Sequence, residues 1–148
     1  MAIEQPKNID GHIGTFKWDS SFAKNKDEMI KLCQKYIDSE CIRLMVQYTP
    51  MRNGMLMKSA VLGTVIGSGE IRYASPYARY QYYGKLMVSS VTGSAFANRG
   101  ESKVLTDKNL KYSTARHPLA QRLWFETMKA NHKETILRGA AAIARRAK

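Results

Sequence analysis

Apolar positions recur at three- and four-residue steps over 24–48, through Ile30, Cys33, Ile37, Cys41, Leu44 and Tyr48. That period predicts a long amphipathic helix with one buried stripe. Its start falls at Ser20 or Asn25, its opposite face carries Lys31, Lys35, Asp38, Glu40 and Arg43, and Pro50 with Gly54 prevents continuation. The same period returns through Phe125, Met128, His132, Ile136, Ala140 and Ile143, with Trp124 flanking the stripe. A second helix is expected there, opened by Pro118 and fraying after Ile143.

The chain between the two helices is less regular. A short strand is expected over 13–18, and two antiparallel strands over 55–66 and 71–74 about a break at Gly67-Ser68-Gly69-Glu70. Pro76 suits the first turn of a short helix that Gly84 would stop, and a further strand over 85–88 returns to the sheet. Residues 89–114 are rich in Ser, Thr, Gly, Asn and Lys with no apolar period, which predicts a long loop or arm that a partner orders. The expected fold is α+β. A long helix and a C-terminal helix pack on a small antiparallel sheet in one domain over 1–148, with a flexible lead over 1–12 and a basic tail over 144–148.

Composition narrows the chemistry. The 148 residues are 44% hydrophobic, enough for one core, yet no run approaches the roughly 18 apolar residues of a membrane helix. The first ten residues carry charges and a proline where a secretory signal needs an apolar stretch, so export by the general secretory route is not expected. Cys33 and Cys41 lie on one predicted helix, about 12 Å apart at about 1.5 Å of rise per residue, too far for a disulfide. Reduced thiols are expected, and His12, His117 and His132 are too scattered for a metal motif. No cofactor is expected.

Charge is uneven along the chain. Residues 1–98 hold 12 basic and 8 acidic side chains, whereas 99–148 hold 12 and 4. The formal net charge of +12 points to nucleic acid or an acidic protein surface as partner, although solubility alone is also served by such a charge. Arg145, Arg146 and Lys148 form the densest basic point and are the candidate contacts for either partner. No phosphate-binding loop, nucleophile elbow or zinc-protease motif is present. Arg72, Arg79, His117 and the tyrosines share residue types with site-specific recombinases, but the chain lacks their spacing and second half. No catalytic residue is assigned, and an enzyme is not expected.

Four of the eight tyrosines, Tyr77, Tyr80, Tyr82 and Tyr83, fall in one short segment with Arg79. Such a cluster suits a protein interface, where Tyr and Arg give large contact area with a polar handle. It also suits stacking on single-stranded bases beside phosphate contacts, which leaves a small basic nucleic-acid-binding module as the alternative. His132 lies on the apolar stripe and is expected to be a hydrogen-bonded core or interface histidine.

Three segments carry a family resemblance. Tyr48-Thr49-Pro50-Met51-Arg52-Asn53-Gly54-Met55-Leu56 followed by Ser59 resembles the turn after the long helix in tailed-bacteriophage head–tail joining proteins. The run from Gly69 to Gly84, with Tyr73, Pro76, Tyr77 and Ala78, is similar to a hallmark segment of the same group. Trp124 to Lys133 is similar to the tryptophan-led C-terminal helix of the branch known as minor capsid proteins. One departure is Arg52-Asn53, where the family turn usually has an acidic residue and a threonine, so the hydrogen bonding of that turn must differ.

The resemblance implies an α+β neck, tail-completion or adaptor subunit, with Pro50, Gly54 and Leu56 forming the structural turn. It implies a homo-oligomeric ring, hexameric in the family, between the connector or stopper and the tail-tube or tail-terminator proteins. Passing contact with genomic DNA is implied, a membrane is not. The expected location is the virion, after folding in the host cytoplasm.

Overall fold

The computed structural model describes residues 2–147. Strands β1 (Ile9–Gly11) and β2 (Gly14–Phe16) form a hairpin ahead of α1 (Phe22–Met45), which ends in a 3-10 turn over Val46–Tyr48. Then come α2 (Met55–Gly63), α3 (Ala78–Tyr83), β3 (Lys85–Ser89), β4 (Lys103–Asn109) and α4 (Trp124–Arg146). The fold is α+β, with two separate two-stranded antiparallel sheets, β1–β2 and β3–β4.

The two periodic stripes find each other. Cys41, Met45 and Tyr48 of the first pack with Trp124, Met128 and Ile136 of α4 to form the core. The helices run antiparallel: Cys33 Sγ lies 3.5 Å from the Ala140 carbonyl, and Tyr48 Oη lies 3.1 Å from His132 Nε2 at the other end. The long helices therefore bury their faces against each other, and the small sheets lie at the periphery, whereas the sequence suggested a helix packed on a sheet. Ile30, expected in the stripe, is half exposed near the start of α1.

Several local expectations change. The stretch 55–66 is not a strand but contains α2, because Met55, Leu56, Met57, Lys58, Ala60 and Leu62 are strong helix formers without period-two alternation. The stretch 71–74 is extended without a strand partner, and it bonds to α2 instead. The Ala74 amide donates to the Ser59 carbonyl at 3.1 Å, and the Arg72 amide donates to Thr64 Oγ1 at 3.0 Å. Only glycine fits at position 63 in this arrangement, since a Cβ there would collide with the Arg72 carbonyl.

The expected arm over 89–114 contains β4, paired with β3 through Val88↔Val104 and Met87↔Leu105. Its connecting loop is stitched by Glu101, which accepts from Ser89 Oγ at 2.6 Å and from the Asn98 amide at 3.1 Å. At the C-terminal end, α4 starts at Trp124 and not at Pro118, and it continues to Arg146 without fraying at Ile143. Residues 118–123 serve as a strap. Gln121 N–H donates to the Tyr48 carbonyl at 3.1 Å, Leu123 N–H to the Tyr82 carbonyl at 2.8 Å, and Leu123 takes a left-handed φ of 51° to enter α4.

The lead over 1–12 supplies β1, with Ile9 paired to Phe16 across the hairpin. All six strand residues are exposed, and the hairpin reaches the body chiefly through Trp18, whose ring sits 5.2 Å from Phe16 and 4.8 Å from Phe22. Gln5 ties the lead down as well, accepting from the Ala23 amide at 3.0 Å at the start of α1.

Candidate functional site: two clefts about α3

Helix α3 spans six residues, closes on Gly84 at φ 71°, and separates two concave surfaces. On one side, a cleft of about 690 Å³ opens between the 50–56 turn, the 74–77 segment and Tyr112. Pro50, Gly54 and Leu56 form one wall, with Pro76, Tyr77 and Gln81 opposite. Segments that the sequence presents some twenty residues apart thus become two sides of one site.

The turn is built by backbone geometry. Gly54 sits at φ 79°, a left-handed conformation that costs glycine little, and precedes α2 directly. Asn53 Oδ1 accepts from the Met55 amide at 3.1 Å, which caps one otherwise unpaired donor at the helix start. The departure Arg52-Asn53 therefore supplies the turn's hydrogen bond through asparagine and leaves Arg52 exposed. Arg52, Lys58 and Lys111 all line this cleft, and among the described residues no carboxylate does.

On the other side of α3 lies a groove of about 540 Å³ with an apolar floor of Cys41, Met45, Tyr73, Tyr82 and Trp124. Trp124 is 1% exposed. Its Nε1–H donates to Tyr73 Oη at 3.0 Å, and the Tyr82 ring meets it edge-on at 4.9 Å. Burial pushes the Tyr73 phenol and the Cys41 thiol up from their ordinary values, so both stay protonated near neutrality.

Asp38 closes the far end of this groove and is 2% exposed. Its Oδ2 accepts from the Gly67 amide at 2.7 Å and the Gly69 amide at 3.1 Å, while Oδ1 accepts from Gln34 Nε2 at 2.7 Å. Three donors replace the water that the carboxylate lost. The helical period placed Asp38 on a solvated face, so sequence reasoning missed it; the available signal was Gly67-Ser68-Gly69, a loop able to turn two amides toward one acceptor.

The candidate contact residues divide. Tyr77 and Tyr83 are 65% and 57% exposed, and Arg79 is exposed at the mouth of the groove. Tyr80 is half-buried, and Tyr82 turns inward onto Trp124. Arg145 and Arg146 are exposed in the last turn of α4 and line neither cleft, while Lys148 lies outside the described residues.

The histidines have structural partners or solvent. His132 Nε2 lies 3.1 Å from both Gln47 Nε2 and Tyr48 Oη, His117 Nδ1 lies 2.7 Å from the Thr49 carbonyl, and His12 is exposed. Cys33 and Cys41 are free thiols. Among the described residues no group of three or more His, Cys, Asp or Glu is placed to hold a metal ion, and no helix is long and apolar enough to cross a membrane. Comparison of the chain with known protein families, curated proteins and solved structures finds no match.

Proposed function

We propose that this chain is a structural virion subunit of a tailed bacteriophage, assembling as a ring at the head–tail junction to join the connector to the tail, and that it is not an enzyme. The observation that carries the reading is the placing of its exposed apolar side chains. Several of them gather on three separate features, Ile13 and Phe16 on the β1–β2 hairpin, Leu62 (83% exposed) and Val65 at the end of α2, and Val91 and Phe96 (87% exposed) on the β3–β4 loop, while Ile30, Leu32, Leu119 and Leu137 stand singly elsewhere. Unlike patches on different elements suit head-to-tail contacts, which close into rings when the rotation permits. The resemblance of the 48–59, 69–84 and 124–133 segments to head–tail joining proteins supplies the rest.

In this reading Tyr77, Arg79 and Tyr83 meet a neighbouring subunit, and the ring binds the connector or stopper on one side and the tail on the other. The test is electron microscopy of intact particles in which this subunit carries a label. Label at the neck supports the proposal, and label on the capsid faces or absence from particles overturns it. A basic nucleic-acid-binding module is favoured instead by Arg138, Arg145 and Arg146, exposed along the end of α4. Affinity for DNA that falls steeply with added salt and is lost on replacing those arginines would support that second reading.

A further inference from the structure

The cleft between the 50–56 turn and α3 has a chemistry of its own. Arg52, Lys58 and Lys111 come to it from separate stretches of chain, and among the described residues no acidic side chain lines it. The ion pairs among the described residues are Lys31–Asp27 and Arg43–Glu40, so none of the three cations is paired with a carboxylate among those residues. Between them the surface is apolar, made by Pro50, Met51, Met55, Leu56 and Leu62. Methionines adapt their shape to an incoming side chain, which suits a surface that receives a flexible segment.

We propose that this cleft docks an acidic peptide segment of a partner protein, one that carries apolar side chains between its carboxylates. The carboxylates pair with Arg52, Lys58 and Lys111, and the apolar side chains enter the methionine- and leucine-lined floor. A second copy of this chain is a poor occupant of the cleft, because it offers no carboxylate-rich segment, its longest acidic run being Asp27-Glu28. Single-stranded nucleic acid is also a poor one. Stacking needs open aromatic faces, and of the two tyrosines here Tyr112 is half-buried with its hydroxyl bonded to the Gln81 carbonyl, leaving Tyr77 as the exposed ring. The proposal rests on the assembly reading only in taking the partner to be another protein of the same particle.

Fluorescence anisotropy tests it on the full chain, with a labelled glutamate-rich peptide containing leucines as the probe. A thymidine oligonucleotide of the same length and a glutamine-for-glutamate peptide are the comparisons. The wild-type chain is expected to bind the acidic peptide more tightly than either comparison. Arg52→Glu with Lys58→Glu should weaken that binding about tenfold or more, and alanine for leucine in the probe should weaken it as well.

Both positions are exposed, so circular dichroism of the variant should match the wild type. Arg52→Gln with Lys58→Gln provides a milder second variant with the same expected direction. Arg145→Glu with Arg146→Glu removes equal charge outside the cleft and should leave peptide binding unchanged. Equal loss in that control, tighter binding of the oligonucleotide, or no peptide binding by the wild type overturns the proposal. A chain that binds the peptide but is absent from particle necks would sink the ring reading and leave the docking site standing.

Discussion

Trp124 shows how one side chain can join three parts of the chain. It opens α4, its indole N–H bonds Tyr73 from the extended segment, and its ring takes the edge of Tyr82 from α3. Trp124→Ala is expected to cost about 3 to 5 kcal/mol, read as a lower urea midpoint, because the void is closed on several sides and relaxes poorly. Trp124→Phe should cost less while leaving Tyr73 without its donor. Asp38 plays the matching polar role between α1 and the 65–69 loop. Asp38→Ala leaves the Gly67 and Gly69 amides without their acceptor and should cost about 1 to 3 kcal/mol. Hydrogen exchange at those two amides should accelerate more than at the core of α1.

At the scale of elements, α2 and the extended 71–74 segment make a testable pair. Glycine to alanine near the end of a free helix is ordinarily favourable by up to about 1 kcal/mol. Gly63→Ala should instead destabilise by about 1 to 3 kcal/mol, because its methyl meets the rigid Arg72 backbone and must push the Ala74–Ser59 hydrogen bond apart. Gly139→Ala, whose methyl meets the end of the Tyr36 side chain and not rigid backbone, should show a smaller loss when the two variants are compared by thermal denaturation. The β3–β4 loop has a pH-dependent tie. Hydrogen bonds from Ser89 and Asn98 hold the Glu101 carboxyl below its ordinary value. A lowered folded value means the tie is fully present above the ordinary glutamate range of about 4.3 and is lost as pH falls through the folded value. Amide exchange across residues 90–102, corrected for intrinsic rates, should therefore rise on acidification, and Glu101→Gln should abolish most of that rise.

The sequence was legible where burial imposes a period. Helices α1 and α4 each bury one stripe, so Cys41, Met128 and Ile136 announce them, and Gly84 marks the end of α3 by the left-handed turn it permits. Strand β4 was hidden because Lys103, Thr106, Asp107 and Lys108 belong to a two-stranded ribbon that lies largely in solvent and needs no apolar alternation. Helix α2 was misread because a short apolar run carries no length to separate helix from strand, and Gly67 and Gly69 resemble a hairpin turn until Asp38 is seen to hold their amides. The walls of the basic cleft, Pro50 to Leu56 and Pro76 to Gln81, were each visible, but their meeting depends on α2 folding back against 71–74.

For the whole molecule, the exposed mouth of the apolar groove is the place to separate folding from assembly. Arg79→Ala with Tyr83→Ala removes two exposed side chains and should leave the unfolding free energy within about 0.5 kcal/mol of wild type. In the ring reading, phage complemented with this variant should yield folded protein but unjoined heads and tails, and normal joining would move the contact to the hairpin or the β3–β4 loop. The two hydrophobic fastenings of the subunit also differ in depth, and the chain's two tryptophans happen to mark one each. Trp124 is sealed in the core, whereas Trp18 is half-buried at the root of the β1–β2 hairpin between Phe16 and Phe22. Intrinsic fluorescence is thereby split into two optical channels: acrylamide quenching of a Trp124→Phe variant follows the hairpin alone, and that of a Trp18→Phe variant follows the core. A neighbour that covers the hairpin would darken the first channel to quencher without touching the second, so subunit association can be watched in an unlabelled cuvette.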